Sequence, residues 1–397
     1  MKQENSNIQS SKLSVLRDSA MGRMLLCFFY VAASVYIPLC FSVNFGEWLT
    51  SVLQLTVCVL TALVLVLIAG SAQTLFGYIF ILGLFIILGG ALLPAALFSA
   101  FAGAICVLSY LILKKSSPII WGLPLISALI ALLVSQTATS AFLALITLPP
   151  ALMLAHSVKC KFSRIGAVCR ISASICLMAA AMFGLFVYSV SGEFTFSAAK
   201  GVIESARESL TTLLLTATDE IQQILDVELA SVNLDSVIQA AISSVFNLLP
   251  AIIIVLGNVL AYIIHSVFLS AYFAEEKDKS RVLPMLTFDM SLTSAVVYIT
   301  SLVLALVLVS DNLALYGTAA ENLMLILAPG LVLTALAGVK ALNSRKGPSC
   351  LGALAYMLLI FLVASLSPYI IFTVALGGAI LIILAHINKR KASSNNS

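Results

Sequence analysis

Charged residues are scarce in this chain of 397 residues, since Asp, Glu, Lys and Arg together make up only 10%. A water-soluble protein of this length needs about a quarter of its residues charged to cover its surface. Hydrophobic residues make up 61%, and they recur in apolar runs of about 20 residues. The sequence therefore excludes a soluble domain and indicates an all-α fold, a polytopic transmembrane helix bundle.

Motifs for catalysis and energy coupling are also missing. The sequence contains no Walker A loop, dinucleotide fingerprint, G-x-S-x-G elbow or H-E-x-x-H helix. Lys, Arg, Asp and Glu are confined to tails, connectors and the first turns of apolar runs. Proton- and ion-coupled transporters usually need such a residue near the membrane midplane. We therefore expect neither enzymatic activity nor a cofactor.

The cysteines indicate neither a disulfide framework nor a metal site. There are 8 of them, with no C-x-x-C pair and none in the acidic stretch 192–243. Small apolar side chains packed in membrane helices account for them. Basic residues do not form a patch interleaved with aromatics, so we expect no nucleic-acid partner.

The apolar runs predict 10–12 spans. Seven candidates precede the acidic stretch, at 21–43, 48–69, 74–89, 90–113, 118–135, 140–157 and 166–190. Five follow it, at 244–273, 289–310, 320–341, 349–365 and 367–387. This predicts two membrane bundles, 21–190 and 244–388, flanked by polar tails at 1–20 and 389–397.

Basic residues predict the orientation. With the N-terminus inside and the spans alternating, every Lys and Arg except Lys200 and Arg207 falls on the cytoplasmic side. Cytoplasmic loops normally carry such an excess. We therefore expect a bacterial plasma-membrane protein with both termini in the cytoplasm and the lipid bilayer as its main contact.

The segment 191–243 is expected on the outside. Apolar residues recur in it at roughly helical spacing between carboxylates, which predicts one or two amphipathic helices, the second beginning near Asn233 or Asp235. A solvated connector that caps the bundle is one interpretation. The other is a lid or a docking surface for other membrane proteins.

A polar stripe runs along the candidate span 244–273. Asn247, Asn258, Tyr262, His265 and Tyr272 fall close to one line on a 3.6-residue helix, beside the small pair Gly257 and Ala261. In lipid such a stripe faces protein or a water-filled cavity. Hydrogen bonding between helices and a substrate-facing surface both fit. We take Asn247, Asn258, Tyr262 and His265 as the candidate substrate-binding residues.

Prolines and glycines interrupt other apolar runs. Pro149-Pro150 and Pro329-Gly330 are candidate helix-break positions. Transporters use broken helices to hold substrate near the midplane, although prolines also occur as plain kinks. The ridge of small residues Ala95, Ser99 and Gly103 predicts one tightly packed helix pair.

The C-terminal part resembles the YybS-like family of uncharacterised bacterial multi-pass membrane proteins. The features that carry this resemblance are Leu248-Leu249-Pro250-Ala251, a charged loop with Pro284, Asn322, Pro329-Gly330, Pro368, Gly377-Gly378 and a basic tail. The chain departs from the family pattern in its extra N-terminal length and in lacking an aromatic-rich charged loop. The N-terminal spans are distantly similar to substrate-binding subunits of energy-coupling-factor transporters.

Two functions follow as expectations. The first is a substrate-binding or permease bundle for a small uncharged or amphipathic molecule. The second is a non-catalytic scaffold that organises partner membrane proteins through its outer helices.

Overall fold

A computed structural model describes residues 15, 17–42, 47–69, 92–114, 118–225, 234–273, 290–308, 314–345 and 368–394. These residues form helices and connectors without a strand, so the all-α prediction is confirmed for them. In chain order the helices are α1 (Ala20–Ser42), α2 (Glu47–Ala69), α3 (Leu92–Lys114), α4 (Pro118–Ser135), α5 (Ala138–Leu145), α6 (Leu148–Lys159), α7 (Arg164–Ser191), α8 (Phe196–Leu225), α9 (Leu234–Tyr272), α10 (Leu292–Val307), α11 (Ala314–Arg345) and α12 (Pro368–Ser394).

The helices coincide with most of the predicted spans. Within the described part of the chain, 8 helical stretches are long and apolar enough to cross a membrane, and α4 and α10 are shorter apolar helices. Each of these ten stretches overlaps one predicted span. The predicted spans 74–89 and 349–365 lie outside the described residues. The chain is therefore a multi-pass helical membrane protein.

The chain divides into two compact units. The first unit contains Met1–Ala179 and Gly257–Met285, and the second contains Ala180–Leu256 and Leu286–Ser397. The division falls within α7 and within α9, so each of these long helices contributes one part to each unit.

Helix α3 is the centre of the first unit, and its small residues let α1 and α2 come close. The Thr61 hydroxyl of α2 donates to the Ser99 carbonyl oxygen at 3.3 Å. A Cβ on Gly103 would lie 3.0 Å from both Phe29 of α1 and Thr61, closer than ordinary van der Waals contact. The tightly packed helix pair predicted from this ridge is confirmed.

One end of the first unit gathers residues that the sequence assigns to the cytoplasmic side. Arg17 donates to the Ile68 carbonyl oxygen at 3.1 Å, and its guanidinium lies 5.8 Å from the Tyr110 ring. Tyr110 meets Tyr272 edge-on at 6.3 Å, while the Lys114 ammonium lies 5.3 Å from the Tyr272 ring. The start of α1 and the ends of α2, α3 and α9 thus share one end, as the predicted alternation requires.

Arg17 also contacts its neighbour Asp18 outside the apolar stretch. A hydrogen bond from the Arg17 guanidinium holds the pKa of the Asp18 carboxyl below its usual range. The carboxylate therefore stays ionised beside the cluster of cations at this end of the unit.

Helices α10, α11 and α12 pack together in the second unit. Their shared core is rich in alanine, with Tyr298 fully buried, and the Tyr298 hydroxyl donates to the Phe372 carbonyl oxygen at 2.9 Å. Gly378 of α12 faces the backbone of α11, where a Cβ would collide with the Leu331 carbonyl oxygen and approach the Ala335 nitrogen to 3.3 Å. Glycine is needed here because backbone, which cannot rotate away, fills the space.

Replacement of Gly378 should separate α12 from α11. We expect Gly378→Ala to lower the stability by about 1–3 kcal/mol, because the added methyl group forces backbone to move. Gly377→Ala is the matched control, since nothing lies within 4 Å of a Cβ there. The measurement is the melting temperature of both variants in detergent. Equal melting temperatures would refute the close approach.

Candidate functional site

The predicted polar stripe lies on α9, a helix of 39 residues from Leu234 to Tyr272. Its start agrees with the predicted start near Asn233 or Asp235. The helix continues without interruption past residue 243, which is the predicted boundary between the outer segment and the following span. Asn258, Tyr262 and His265 belong to the first unit, whereas Asn247 belongs to the second.

Asn247 takes part in a helix–helix contact through its backbone. The Asn322 side chain of α11 donates to the Asn247 carbonyl oxygen at 3.1 Å and accepts from the Ala251 amide at 3.2 Å. Its second N–H donates to the Thr318 carbonyl oxygen at 2.9 Å. Asn322 thus bridges two backbone groups of α9 next to Pro250, which itself lacks an N–H. In the sequence, Asn322 stands out only as one of the features of the YybS-like resemblance.

Loss of the Asn322 side chain should weaken this contact by a modest amount. We expect Asn322→Leu to cost about 1 kcal/mol, the usual scale of hydrogen bonds between membrane helices. Asn322→Asp should cost more, because a carboxylate cannot donate to either carbonyl oxygen. The readout is the melting temperature in detergent, with the exposed neighbour variant Glu321→Gln as control. A loss no larger than that of Glu321→Gln would contradict the bridging role.

Three residues of the first unit come together where α7 begins. The Arg164 guanidinium lies 5.5 Å from the Tyr262 ring, and His265 lies one helical turn from Tyr262 on α9. Both charged or polar side chains are well covered, Arg164 at 7% exposed and His265 at 4%. We call Arg164, Tyr262 and His265 the α7/α9 cluster.

The Nδ1 atom of His265 is buried and has no hydrogen-bond partner among the described residues. Buried side-chain polar atoms are hydrogen-bonded in the large majority of cases, and an unsatisfied one costs about 1–3 kcal/mol. His265 therefore presents an unused donor or acceptor inside a membrane helix.

Gly257 brings α9 against α7 and fixes the level of the cluster. A Cβ on Gly257 would lie 2.8 Å from the Cys176 sulfur and 3.2 Å from the Ser172 hydroxyl. The two helices run in opposite directions, because Gly257 meets the deeper part of α7 and the later residue Tyr262 meets Arg164 at its start. The Gly257 and Ala261 pair was recognised in the sequence as a close-approach motif, but Arg164 was interpreted only as an orienting charge.

The other members of the stripe have different surroundings. Asn258 is half-buried on α9. Tyr272 stacks on Phe268 with ring centroids 5.5 Å apart and lies beneath Lys114. The stripe is therefore not one continuous surface, and the α7/α9 cluster is its most deeply buried part.

The candidate break at Pro149-Pro150 is a real interruption. Helix α5 ends at Leu145, and α6 begins at Leu148 with proline in its first positions. The connecting Thr147 is fully buried, and its hydroxyl lies 3.3 Å from the Tyr30 hydroxyl. Ser109 of α3 donates to the Ala151 carbonyl oxygen at 2.9 Å. Buried side chains of the same unit thus hold the interruption on both sides.

Pro329-Gly330 behaves differently. Helix α11 is continuous from Ala314 to Arg345 with Pro329 inside it. The Thr334 hydroxyl donates to the Gly330 carbonyl oxygen at 2.9 Å. This position matches the plain-proline alternative.

No group of three or more His, Cys, Asp or Glu side chains in the described part of the chain could hold a metal ion. The side chains of the α7/α9 cluster, Arg164, Tyr262 and His265, can offer hydrogen bonding and charge attraction.

Comparison with protein families gives one match. A family model described as "Predicted membrane protein (DUF2232)" matches residues 80–378. Neither the curated proteins nor the solved structures contain a significant match. The matched region includes α3 to α11 and therefore the α7/α9 cluster. The similarities to YybS-like proteins and to energy-coupling-factor subunits stay predictions.

Proposed function

This chain belongs to the DUF2232 family of predicted membrane proteins, and from that premise we propose that it is a substrate-binding or permease bundle. The ligand is a small uncharged or amphipathic molecule. The observation that carries the proposal is the buried, unpartnered Nδ1 atom of His265.

A bare imidazole nitrogen is costly inside a membrane helix. Ionisable residues within spans are rare, and those that occur usually mark a substrate or ion pathway. At His265 the neighbouring Arg164 and Tyr262 add a charge and an aromatic face. A bound ligand that hydrogen-bonds to Nδ1 would remove this cost.

The interrupted helix α5–α6 also supports the proposal. A transporter site typically uses a helix that breaks inside the membrane, because the break exposes backbone groups to substrate. The break at Thr147 lies near the middle of the apolar stretch Ala138–Lys159. It belongs to the same compact unit as the α7/α9 cluster.

A ligand for His265 should be detectable by its effect on stability. A small-metabolite library is screened against the detergent-purified protein, since a ligand at 100 times its dissociation constant stabilises the folded state by about 2.7 kcal/mol. We expect a shift in melting temperature that His265→Ala and Asn258→Ala reduce. The control is His156→Ala, an exposed histidine of the same unit.

Two outcomes of this screen count against the proposal. One is a folded protein that no library member stabilises. The other is a shift that His265→Ala and His156→Ala leave equally large.

A scaffold is the second candidate function, and the surface of α8 favours it. This helix exposes apolar side chains beside its polar ones, including Leu213 at 64% and Phe196 at 89%. An exposed apolar face on a polar helix is typical of a surface that meets another protein. Here we also propose that the protein lies in the bacterial plasma membrane with both termini in the cytoplasm, which places α8 outside.

Cysteine labelling tests on which side of the membrane α8 lies, and whether a partner protein covers its apolar side chains. A membrane-impermeant maleimide should label Leu213→Cys in intact cells, because α8 is outside. The exposed native Cys160, which follows α6, should react only after permeabilisation. Under the scaffold function, Leu213→Cys should react several-fold more slowly in cells than after purification, whereas the polar-face variant Thr212→Cys should not.

The labelling result can fail in two distinguishable ways. If Leu213→Cys reacts only after permeabilisation, the proposed orientation is wrong. If both engineered cysteines react equally in cells and in the purified protein, α8 is a solvated connector and the scaffold function loses its support.

A further inference from the structure

The α7/α9 cluster brings together the groups that recognise an oxyanion. Arg164 presents a planar guanidinium whose N–H groups match carboxylate or phosphate oxygens. Tyr262 carries a hydroxyl, and His265 carries a ring nitrogen that can donate. Arg164 also brings a positive charge, since its guanidinium lies 5.5 Å from the Tyr262 ring, one helical turn from His265. A cationic ligand would be repelled from this position.

The N-terminus of α7 adds to the positive electrostatic potential around Arg164. This helix of 28 residues begins at Arg164, and its dipole places positive potential at that end. The Ser163 hydroxyl accepts from the Gly166 amide at 3.3 Å, so the first turn is capped and ordered. The antiparallel contact through Gly257 sets this turn beside the part of α9 that carries His265.

The independent evidence for a ligand is His265. Its side chain is 4% exposed, and Nδ1 has no partner among the described residues. It lies on the face of α9 that carries Tyr262, which contacts Arg164. The buried ring nitrogen of His265 and the positive N-terminus of α7 therefore belong to two helices that meet where Arg164 contacts Tyr262.

We propose that the α7/α9 cluster binds the oxyanion group, a phosphate or a carboxylate, of an amphipathic ligand. The inference rests on the solute-binding function proposed above and narrows its ligand class. Arg164 and the N-terminus of α7 hold the negative charge, and His265 donates from Nδ1 to one of its oxygens. The apolar part of the ligand lies along the membrane helices.

Such an oxyanion has two possible sources. One is a solute, and the other is the phosphate of a membrane lipid. Arg164 begins the apolar stretch Arg164–Ser191, a level at which a lipid headgroup and a dissolved ligand can both arrive. The test therefore has one arm for each source.

The first arm uses inorganic phosphate as the probe. Thermal unfolding of the full chain in an uncharged detergent is followed against phosphate, with sodium chloride at equal ionic strength as reference. We expect a saturable rise in melting temperature. Arg164→Gln and His265→Gln should each weaken the apparent affinity by about tenfold or more, the effect of losing a hydrogen bond to a charged group.

Arg170→Gln is the matched control for the first arm. Arg170 lies on the same helix and carries the same charge, but it is exposed and faces Phe162 at 3.6 Å. Its replacement should leave the phosphate response unchanged. Arg164→Lys is included because it keeps the charge if Arg164→Gln fails to fold. Arg164→Lys should bind phosphate more weakly than the wild type, because lysine lacks the planar guanidinium that donates two parallel hydrogen bonds.

The second arm uses nanodiscs of phosphatidylcholine alone or with phosphatidylglycerol. Both lipids carry a phosphate, but only phosphatidylglycerol has a net negative charge. If the source is a lipid, native mass spectrometry should show phosphatidylglycerol retained by the wild type and by Arg170→Gln, and at least several-fold less by His265→Gln. If the source is a solute, only the phosphate response should depend on His265.

The outcomes separate this inference from the proposed function. If phosphate raises the melting temperature equally in the wild type, Arg164→Gln and His265→Gln, the rise comes from general charge screening. That result would overturn the inference. If only uncharged metabolites stabilise the protein, and this stabilisation depends on His265, the solute-binding function is supported. The inference that the ligand carries an oxyanion is then wrong. An absence of any His265-dependent ligand in the metabolite screen and in both arms would overturn both.

Discussion

The membrane interior supplies no water to the peptide backbone, so every polar backbone group there needs a partner within the protein. Two irregular places in the described helices show how side chains help to meet this requirement. At the α5–α6 interruption, the Thr147 hydroxyl pairs with Tyr30 and Ser109 donates to the Ala151 carbonyl oxygen. Near Pro250, the Asn322 side chain bridges the Asn247 carbonyl oxygen and the Ala251 amide. Polar residues in these spans are therefore placed mainly where the backbone needs them.

His265 does not follow this rule. Its Nδ1 atom is buried without a partner among the described residues, and the Ser34, Tyr36 and Ser157 hydroxyls of the same unit share this property. His265 differs from them because a cation lies one helical turn away, where Arg164 meets Tyr262. Small side chains on α3 and Gly257 on α9 show that this unit is packed closely enough to specify its contacts. The proposed binding site depends on this combination of an unused polar atom, a neighbouring cation and close packing.

The class of fold follows from the sequence because long apolar runs and segregated charges are local properties. Hydropathy and alternation predict the helices and the grouping of Arg17, Tyr110 and Lys114 at one end. Proline positions are less decisive, since Pro149-Pro150 interrupts a helix while Pro329 does not. The predicted start of the span at residue 244 stays a prediction, because α9 has no helix breaker between Leu234 and Pro250 and continues through that point. Contacts such as Asn322 with Ala251 depend on which helices become neighbours, which no local pattern contains.

Arg164 shows why an orienting charge and a functional charge look alike in a sequence. A cation that only orients the protein needs to lie near the end of a span, and exposure suits it because the guanidinium stays hydrated. Arg170 fits that description, being exposed on the same helix. Arg164 is 7% exposed and faces Tyr262, so folding removes most of its hydration at a considerable cost. Arg17 is covered to the same extent and is held by the Ile68 carbonyl oxygen, so burial alone does not separate the two roles. The binding role proposed for Arg164 depends instead on the unpartnered His265 nitrogen one helical turn from Tyr262.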